Sequence, residues 1–274
     1  MPEFDNNRYI VTENPKVIIQ KCRNHSKETL KSFLIGSCII FIIMNWIPEI
    51  LGMFFTKSYV EVLSQFVYID PQLIIKLPQI PVILYFYALL FNGVLKLGEA
   101  LYTLTYIRNK RVEYVAIAEG FKFYFKALGV YIAQLFIISI WSILFIIPGI
   151  IAAINFSQAF YILADDPKKG VFRVLFESKF MMMGNRMNYF LLLINYLPYL
   201  LIGYLPSIVL SWIPGLNFSN PITVMMFLIS AIPLYAARGY LAMGRGVYYE
   251  LLKEKGFENF RYSGQEAFRE DKTI

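Results

Sequence analysis

The chain has 274 residues, of which 57% are hydrophobic and 17% aromatic, with 26 Lys and Arg against 19 Asp and Glu. Only 16% of the residues are charged, whereas a soluble domain carries about 25%, which excludes a soluble globular domain for most of the length. The formal charge of +7 comes without a nucleic-acid recognition motif, so no nucleic-acid partner is expected.

The first 31 residues are polar and basic and contain a signal for the start of a helix. Asn14 is a good N-cap residue, and Pro15 suits the first helical position, where its missing amide donor does no harm. We therefore predict a cytoplasmic segment at 1–31, with a short helix from about Pro15 that lies on the membrane surface.

Long apolar runs follow, and each is long enough to cross the hydrocarbon core, which takes about 20 helical residues. The first two predicted spans are 32–55 and 78–107, separated by a mixed polar loop. Residues 108–127 are polar again, with Glu119 and Lys122 three residues apart on one face. This pattern predicts an amphipathic helix at the membrane surface.

The next apolar run, 128–164, is too long for one span and contains the helix breakers Pro148 and Gly149. It forms either one kinked helix or two spans joined as a hairpin. Both flanks of the run are basic, and basic segments favour the cytoplasm, so both ends should lie on the same side. That requires two crossings, which we place at 128–147 and 150–165.

Two further spans are predicted at 189–212 and 222–245, followed by a charged cytoplasmic tail at 251–274. With six spans and both termini in the cytoplasm, the segments that hold 23 of the 26 Lys and Arg residues fall on one side. The predicted fold is all-α: one transmembrane domain over 32–250, a polytopic bundle of about six transmembrane helices with amphipathic helices on the cytoplasmic face.

Two aspartates and a proline, 165-DDP-167, separate the fourth predicted span from a basic segment. Asp166 suits the N-cap of a helix, with Pro167 at its first position and Gly184 just beyond its end, so we predict an amphipathic helix over 167–183. A catalytic or metal-binding carboxylate pair is the weaker interpretation. Adjacent helical residues do not share a face, and no His or Cys ligand lies near, so no metal or cofactor is predicted.

Polar residues inside the predicted spans are the candidate functional positions: Lys96, Glu99, Asn155 and Gln158. Charged groups in lipid are costly and mark either a function or a structural pair. Lys96 and Glu99 therefore either pair with each other or belong to a solute or proton pathway. The two amides either hydrogen-bond between helices or line a polar cavity. No combination of acid, base and nucleophile is visible, so an enzyme is not expected.

The succession 141-WSILFIIPGIIAAINFSQAFYILADDP-167 and 177-ESKFMMMGNRMNYFLL-192 resembles an uncharacterised family of bacterial multi-pass membrane proteins. The family is known only as a domain of unknown function, number nine-seven-five. The resemblance extends over about 85–250, although Arg186-Met187 stands where the family usually has Lys-Trp. It implies an integral protein of a bacterial plasma membrane, and it implies no activity.

The leading functional hypothesis is a non-enzymatic scaffold or accessory subunit that acts through its basic cytoplasmic face. Its expected partners are anionic lipid headgroups and a membrane protein or a second copy of the chain. The alternative is a transporter or permease for a small solute or lipid, with the four polar residues near its pathway. A central polar cavity that holds a solute or lipid would favour the transporter, and a solid, dry bundle would favour the scaffold.

Overall fold

The structure, a computed structural model, describes residues 10–23, 27–55, 57–68, 80–213 and 221–270. Parts of the predicted segments at 1–31 and 251–274, and of the loops that precede the second and the sixth predicted spans, therefore lie outside the described residues. Within the described ranges the chain is helical, apart from connecting turns and an isolated bridge between Ser58 and Pro81. The all-α fold class is confirmed.

Twelve α-helices lie in the described ranges. They are α1 (Pro15–Arg23), α2 (Lys27–Phe54), α3 (Tyr59–Ser64), α4 (Val82–Asn109), α5 (Val115–Glu119), α6 (Tyr124–Leu144), α7 (Ile146–Asn155), α8 (Ala159–Asp165), α9 (Val171–Met182), α10 (Arg186–Ser211), α11 (Pro221–Ser230) and α12 (Ile232–Glu270). A 3-10 turn, Gly120–Phe123, joins α5 to α6.

Six segments of the described chain are long and apolar enough to cross a membrane: Thr29–Phe54, Val82–Asn109, Val115–Leu144, Ile146–Asp165, Arg186–Ser211 and Pro221–Lys255. Their outer surfaces expose large apolar side chains such as Phe136 and Ile202. An apolar surface of this extent suits hydrocarbon as its solvent rather than water. The chain is a multi-pass membrane protein, and the predicted bundle of six spans is confirmed.

The long apolar run folds as a hairpin, in which α6 and α7 pack against each other. The break lies at Phe145, which has an extended backbone, so the predicted break at Pro148 and Gly149 is wrong in position. Pro148 lies in the first turn of α7, where the backbone N–H groups have no partner inside the helix. A Cβ on Gly149 would meet the Ser142 side chain on the opposite arm, so these two residues begin the second arm.

The second arm of the hairpin is itself interrupted, because a turn at 156–158 separates α7 from α8. Neighbouring side chains bind the backbone that the turn exposes. Gln134 Nε2 donates to the Phe156 carbonyl at 2.7 Å, and Ser178 Oγ donates to the Asn155 carbonyl at 2.8 Å. Backbone groups at membrane depth need such partners, which is how this irregular turn is tolerated.

The N-terminal helix α1 begins as predicted, since the Asn14 side chain accepts a hydrogen bond from the Lys16 amide at 3.0 Å. It also packs on the bundle, where Ile18 and Cys22 are buried in a helix that contacts α10 and α12. Burial raises the pKa of the Cys22 thiol to about 11.

The Cys22 thiol is expected to resist alkylation by N-ethylmaleimide at pH 8, because the thiolate is the reactive form and burial suppresses it. The measurement is mass spectrometry of the Cys38→Ser protein before and after unfolding. A Lys168→Cys variant supplies an exposed thiol as a rate standard. Equal alkylation rates for Cys22 and this standard in the folded protein would contradict the docking of α1.

The predicted amphipathic helix over 108–127 is wrong. Helix α4 continues to Asn109 and stops where Lys110 adopts a left-handed conformation, φ 55°. The chain then folds back through the short α5 and the 3-10 turn. A close approach of backbones explains the difference, because a Cβ on Gly98 would lie 2.5 Å from the carbonyl oxygen of Ile117. Glu119 and Lys122, which were predicted to share a helix face, form an ion pair at 3.0 Å.

The prediction that Asp166 and Pro167 start a helix is also wrong. Helix α9 begins at Val171 with Gly170 as its N-cap. Asp166 instead ends α8, and its Oδ1 accepts a hydrogen bond from the Lys168 amide at 3.0 Å. Such a turn is a competing use of a capping side chain, and Lys126 stabilises it by donating to the Pro167 carbonyl.

The last predicted span, 222–245, is divided at Ala231 into α11 and α12. Helix α12 then runs without a break through the residues predicted as the end of the span and into the charged tail, as far as Glu270. It packs against α2, α4 and α10, so it is a central element of the bundle.

Candidate functional site

The helix bundle contains a partly open cavity of about 400 Å³. Three charged side chains line it: Lys96 and Glu99 from α4, and Arg245 from α12. A volume of this size suits a small organic molecule or part of a larger one. Charges inside a membrane-spanning bundle are functional candidates by default, so this cavity is the candidate site.

Helix α4 presents Lys96 and Glu99 on the same side because they are three residues apart. The Lys96 Nζ atom lies 4.9 Å from the centroid of the Tyr131 ring and 5.9 Å from that of Phe160. Attraction between an ammonium group and an aromatic face holds the cation at the cavity wall.

Arg245 on α12 differs from the other two charged residues in its hydrogen bonding. Its Nε atom is buried and has no hydrogen-bond partner among the described residues. Tyr189, Tyr161 and Glu99 lie within electrostatic reach of the guanidinium group, but the Tyr161 hydroxyl already donates to the Ala242 carbonyl at 3.1 Å. A buried donor without a partner is destabilising, and a guanidinium fork matches the oxygens of a carboxylate or phosphate.

The three charges are near one another without being paired directly. Among the described residues, the ion pairs closer than 4.0 Å lie elsewhere, and none joins Lys96 to Glu99. The predicted alternative of a direct structural pair therefore does not occur in this structure. When all three groups are ionised, the two cations and the one carboxylate give the cavity wall one excess positive charge.

The two candidate amides, Asn155 and Gln158, do not line the cavity. Asn155 ends α7 and Gln158 lies in the turn before α8, so the two amides do not share the face of one continuous helix, as a single span over 150–165 would require. Asn155 Oδ1 accepts a hydrogen bond from Arg186 Nε at 2.7 Å, and Gln158 Nε2 donates to Ser157 Oγ at 3.1 Å. Both amides therefore make packing contacts beside the cavity, and Ser157 is the residue that reaches it.

Sequence reasoning missed part of the polar wall: Gln134, Tyr161, Tyr189 and Arg245. Arg245 is the last residue of the predicted span 222–245 and was not selected as a candidate. The continuation 247-VYYELL-252 is apolar on one face, and this pattern could have indicated that the helix remains buried past Arg245.

A second group of charges, which we call the ion-pair cluster, consists of Arg108, Asp165, Glu250 and Lys253. Arg108 Nη2 lies 2.9 Å from Asp165 Oδ1 and 2.7 Å from Glu250 Oε1, and Lys253 binds the other oxygen of Asp165. The cluster joins the C-terminal ends of α4 and α8 to α12. Of the two adjacent aspartates, Asp165 is therefore the one whose charge is used.

The fold and the cavity together define the class: a multi-pass helical membrane protein with a polar site inside its bundle. Residues 133–256 match the model of a family described as "Protein of unknown function (DUF975)". This match supports the membership of the chain in that uncharacterised family, as the sequence resemblance predicted. Searches of the curated proteins and of the solved structures found no match.

Proposed function

We propose that the protein is a transporter or permease that binds a small solute or a lipid in the cavity, and that it is not an enzyme. The observation that carries this proposal is the set of charges at Lys96, Glu99 and Arg245. Unpaired charges inside a bundle are destabilising, and membrane proteins retain them mainly along substrate and ion pathways. Arg245 lines the cavity, and its buried Nε has no hydrogen-bond partner among the described residues, so the protein leaves its guanidinium group incompletely paired and able to bind an anion.

In this proposal the residues of the wall have separate tasks. Arg245 binds an anionic oxygen through its guanidinium fork, Lys96 adds a second positive charge that Tyr131 keeps in place, and Glu99 limits the excess charge when the site is empty. The ion-pair cluster holds the C-terminal ends of α4 and α8 against α12, outside the cavity wall.

Ligand-dependent stabilisation tests the proposal, because a ligand that binds the folded state raises the thermal midpoint. The purified protein is heated with a panel of phosphate, acetate, glycine, decanoate and dioleoylphosphatidylglycerol. At least one compound should stabilise the protein. Arg245→Gln should lower the affinity for that compound by about 10-fold or more, because the charge-assisted hydrogen bonds are lost. Arg111→Gln is the matched control, since Arg111 is exposed and does not line the cavity. A panel without effect on the wild-type protein would contradict the proposal.

The scaffold or accessory subunit is the second candidate, and the exposed face of α9 favours it. Phe172 and Phe176 are 80% and 64% exposed, and the exposed Arg173 lies between them in sequence. Aromatic and basic residues in this arrangement suit a membrane surface with anionic headgroups, a membrane-protein partner or a second copy. If the protein is a scaffold, the double variant Phe172→Ser, Phe176→Ser should no longer copurify with its partner from native membranes, but it should still bind the cavity ligand.

We also propose that the protein resides in a bacterial plasma membrane with both termini in the cytoplasm. The distribution of Lys and Arg along the sequence supports this orientation. Two exposed lysines, Lys57 and Lys168, allow a matched test in a background without native cysteines. An impermeant maleimide applied to intact cells should label Lys57→Cys, and it should label Lys168→Cys only after permeabilisation. Labelling of Lys168→Cys in intact cells would contradict the orientation.

A further inference from the structure

The cavity has an opening on the side that faces lipid. Ile150 and Phe190 both line the cavity and are 46% and 37% exposed, and Ala153, which also lines it, is exposed as well. These residues belong to α7 and α10, inside two of the membrane-spanning segments. The exposed lining residues therefore place the opening of the cavity at the boundary between α7 and α10, two helices that also contact each other.

The wall of the cavity also changes from polar to apolar in one direction. Along α6 it changes from Gln134 to Ile138, which is one turn nearer the hairpin tip. Along α10 it changes from Tyr189 to Leu193, one turn further from the start of that helix. The polar end of the cavity thus lies towards the basic start of α10. The apolar end lies towards the tip of the hairpin formed by α6 and α7.

From this arrangement we infer that the ligand is a membrane amphiphile with an anionic headgroup, which enters between α7 and α10. The inference rests on the proposed binding function and specifies its substrate class. The headgroup binds Arg245 and Lys96 at the polar end, and the hydrocarbon chain lies along Ile138, Ile150 and Phe190. This is the orientation that a lipid already has in the leaflet nearer the basic segments.

The route of entry distinguishes an amphiphile from a water-soluble anion. A soluble anion that enters through the opening between α7 and α10 must first move from water into hydrocarbon. Moving an isolated charge into hydrocarbon has a high cost in free energy. A lipid is already in the bilayer and only has to move its headgroup sideways into the polar end. A volume of about 400 Å³ holds a headgroup and the first part of a chain, while the rest extends through the opening.

Binding of three probes to the purified full chain tests the inference: dioleoylphosphatidylglycerol, dioleoylphosphatidylcholine and glycerol 1-phosphate. Native mass spectrometry counts the bound lipid, and the thermal midpoint reports the soluble probe. We expect the anionic lipid to bind more tightly than the zwitterionic one, and an excess of glycerol phosphate not to displace it. Arg245→Gln should weaken binding of the anionic lipid by about 10-fold or more, and Arg111→Gln should not.

Two further variants separate a folding defect from a loss of binding and test the opening. Arg245→Lys keeps the charge but loses the fork, so it should retain the preference for the anionic lipid at reduced affinity. Ala153→Trp should obstruct the opening and slow lipid binding. Ile151→Trp is its matched control, because Ile151 is an exposed residue of α7 that does not line the cavity.

The outcomes distinguish the inference from the function on which it rests. Equal affinity for the two lipids, or lipid binding that Arg245→Gln leaves unchanged, overturns the inference, because lipid held only around the bundle would behave in this way. Tight binding of glycerol phosphate that Ala153→Trp does not affect also overturns it, but leaves the proposed binding function intact. If no probe binds, and no compound of the broader panel stabilises the protein, both are overturned.

Discussion

Replacement of Gly98 by serine is expected to destabilise the protein by about 1–3 kcal/mol, the usual effect of forcing atoms into a packed contact. A Cβ at Gly98 would lie 2.5 Å from the carbonyl oxygen of Ile117, and a Cβ at Gly120 would lie 2.8 Å from the amide nitrogen of Gly98. Both obstacles are backbone atoms, which cannot rotate away as a side chain can. The chain at 117–120 would have to separate from α4, and α4 carries Lys96.

Gly170→Ser is the matched control for this substitution. In the described ranges no atom lies within 4 Å of a Cβ built at Gly170, and serine is a preferred N-cap residue for the helix that follows. Its stability should therefore be unchanged or slightly increased. Chemical denaturation of both variants in detergent is the measurement, and equal stability of the two would contradict the close contact at Gly98.

Replacement of Asp165 by asparagine is expected to lower stability by about 1–2 kcal/mol, because Arg108 and Lys253 lose their shared carboxylate. The expected loss of stability is modest because the side chains of Arg108 and Lys253 are 38% and 50% exposed, so solvent screens their charges. Tyr249 also loses a charged acceptor, since its hydroxyl donates to Asp165 Oδ2 at 3.2 Å. The difference between wild type and variant should shrink in 0.5 M salt.

Asp166→Asn provides the same chemical change one residue further along the chain. Asp166 accepts a local hydrogen bond from the Lys168 amide, and an asparagine oxygen can accept the same bond. This variant should stay within about 0.5 kcal/mol of the wild type. A loss of stability as large as that of Asp165→Asn, or a silent Asp165→Asn, would contradict the assignment of the ion-pair cluster.

Much of the fold could be predicted because lipid imposes simple rules on a sequence. Apolar runs of about 20 residues must be helices that cross the membrane, and this gave the approximate position of each span. The positive charge at both ends of 128–164 indicated an even number of crossings. The hairpin of α6 and α7 has two arms, in agreement with this expectation. The Asn14–Pro15 start of α1 is a purely local signal, and it was correct for that reason.

The errors arose where contacts distant in sequence decide the local structure. Asp166 followed by Pro167 has the local pattern of a helix start, but Lys126, 41 residues before Pro167, donates to the Pro167 carbonyl and stabilises a turn. The contact between Gly98 and Ile117 likewise prevents the single helix that the polar spacing of 108–127 predicts. Neither contact can be found by reading a window of sequence.

The candidate site was predictable only in part. Lys96 and Glu99 stood out because a charge within an apolar run is rare. Arg245 was missed because it is the last residue of the predicted span 222–245, where the apolar run merges with a charged segment. The apolar face of 247–252 and the packing of α12 show that this region stays inside the bundle. Asn155 and Gln158 were chosen on the assumption of a continuous helix, which the turn at 156–158 interrupts.

A cryo-electron microscopy structure of the protein, extracted with its native lipids and without detergent, would show directly whether the cavity binds a ligand. We expect non-protein density between Lys96, Glu99 and Arg245, with the Arg245 guanidinium within hydrogen-bond distance of it. The density should continue towards the opening between α7 and α10. A cavity closed by side chains, with Arg245 bound directly to Glu99 and no density between them, would contradict the proposed binding site.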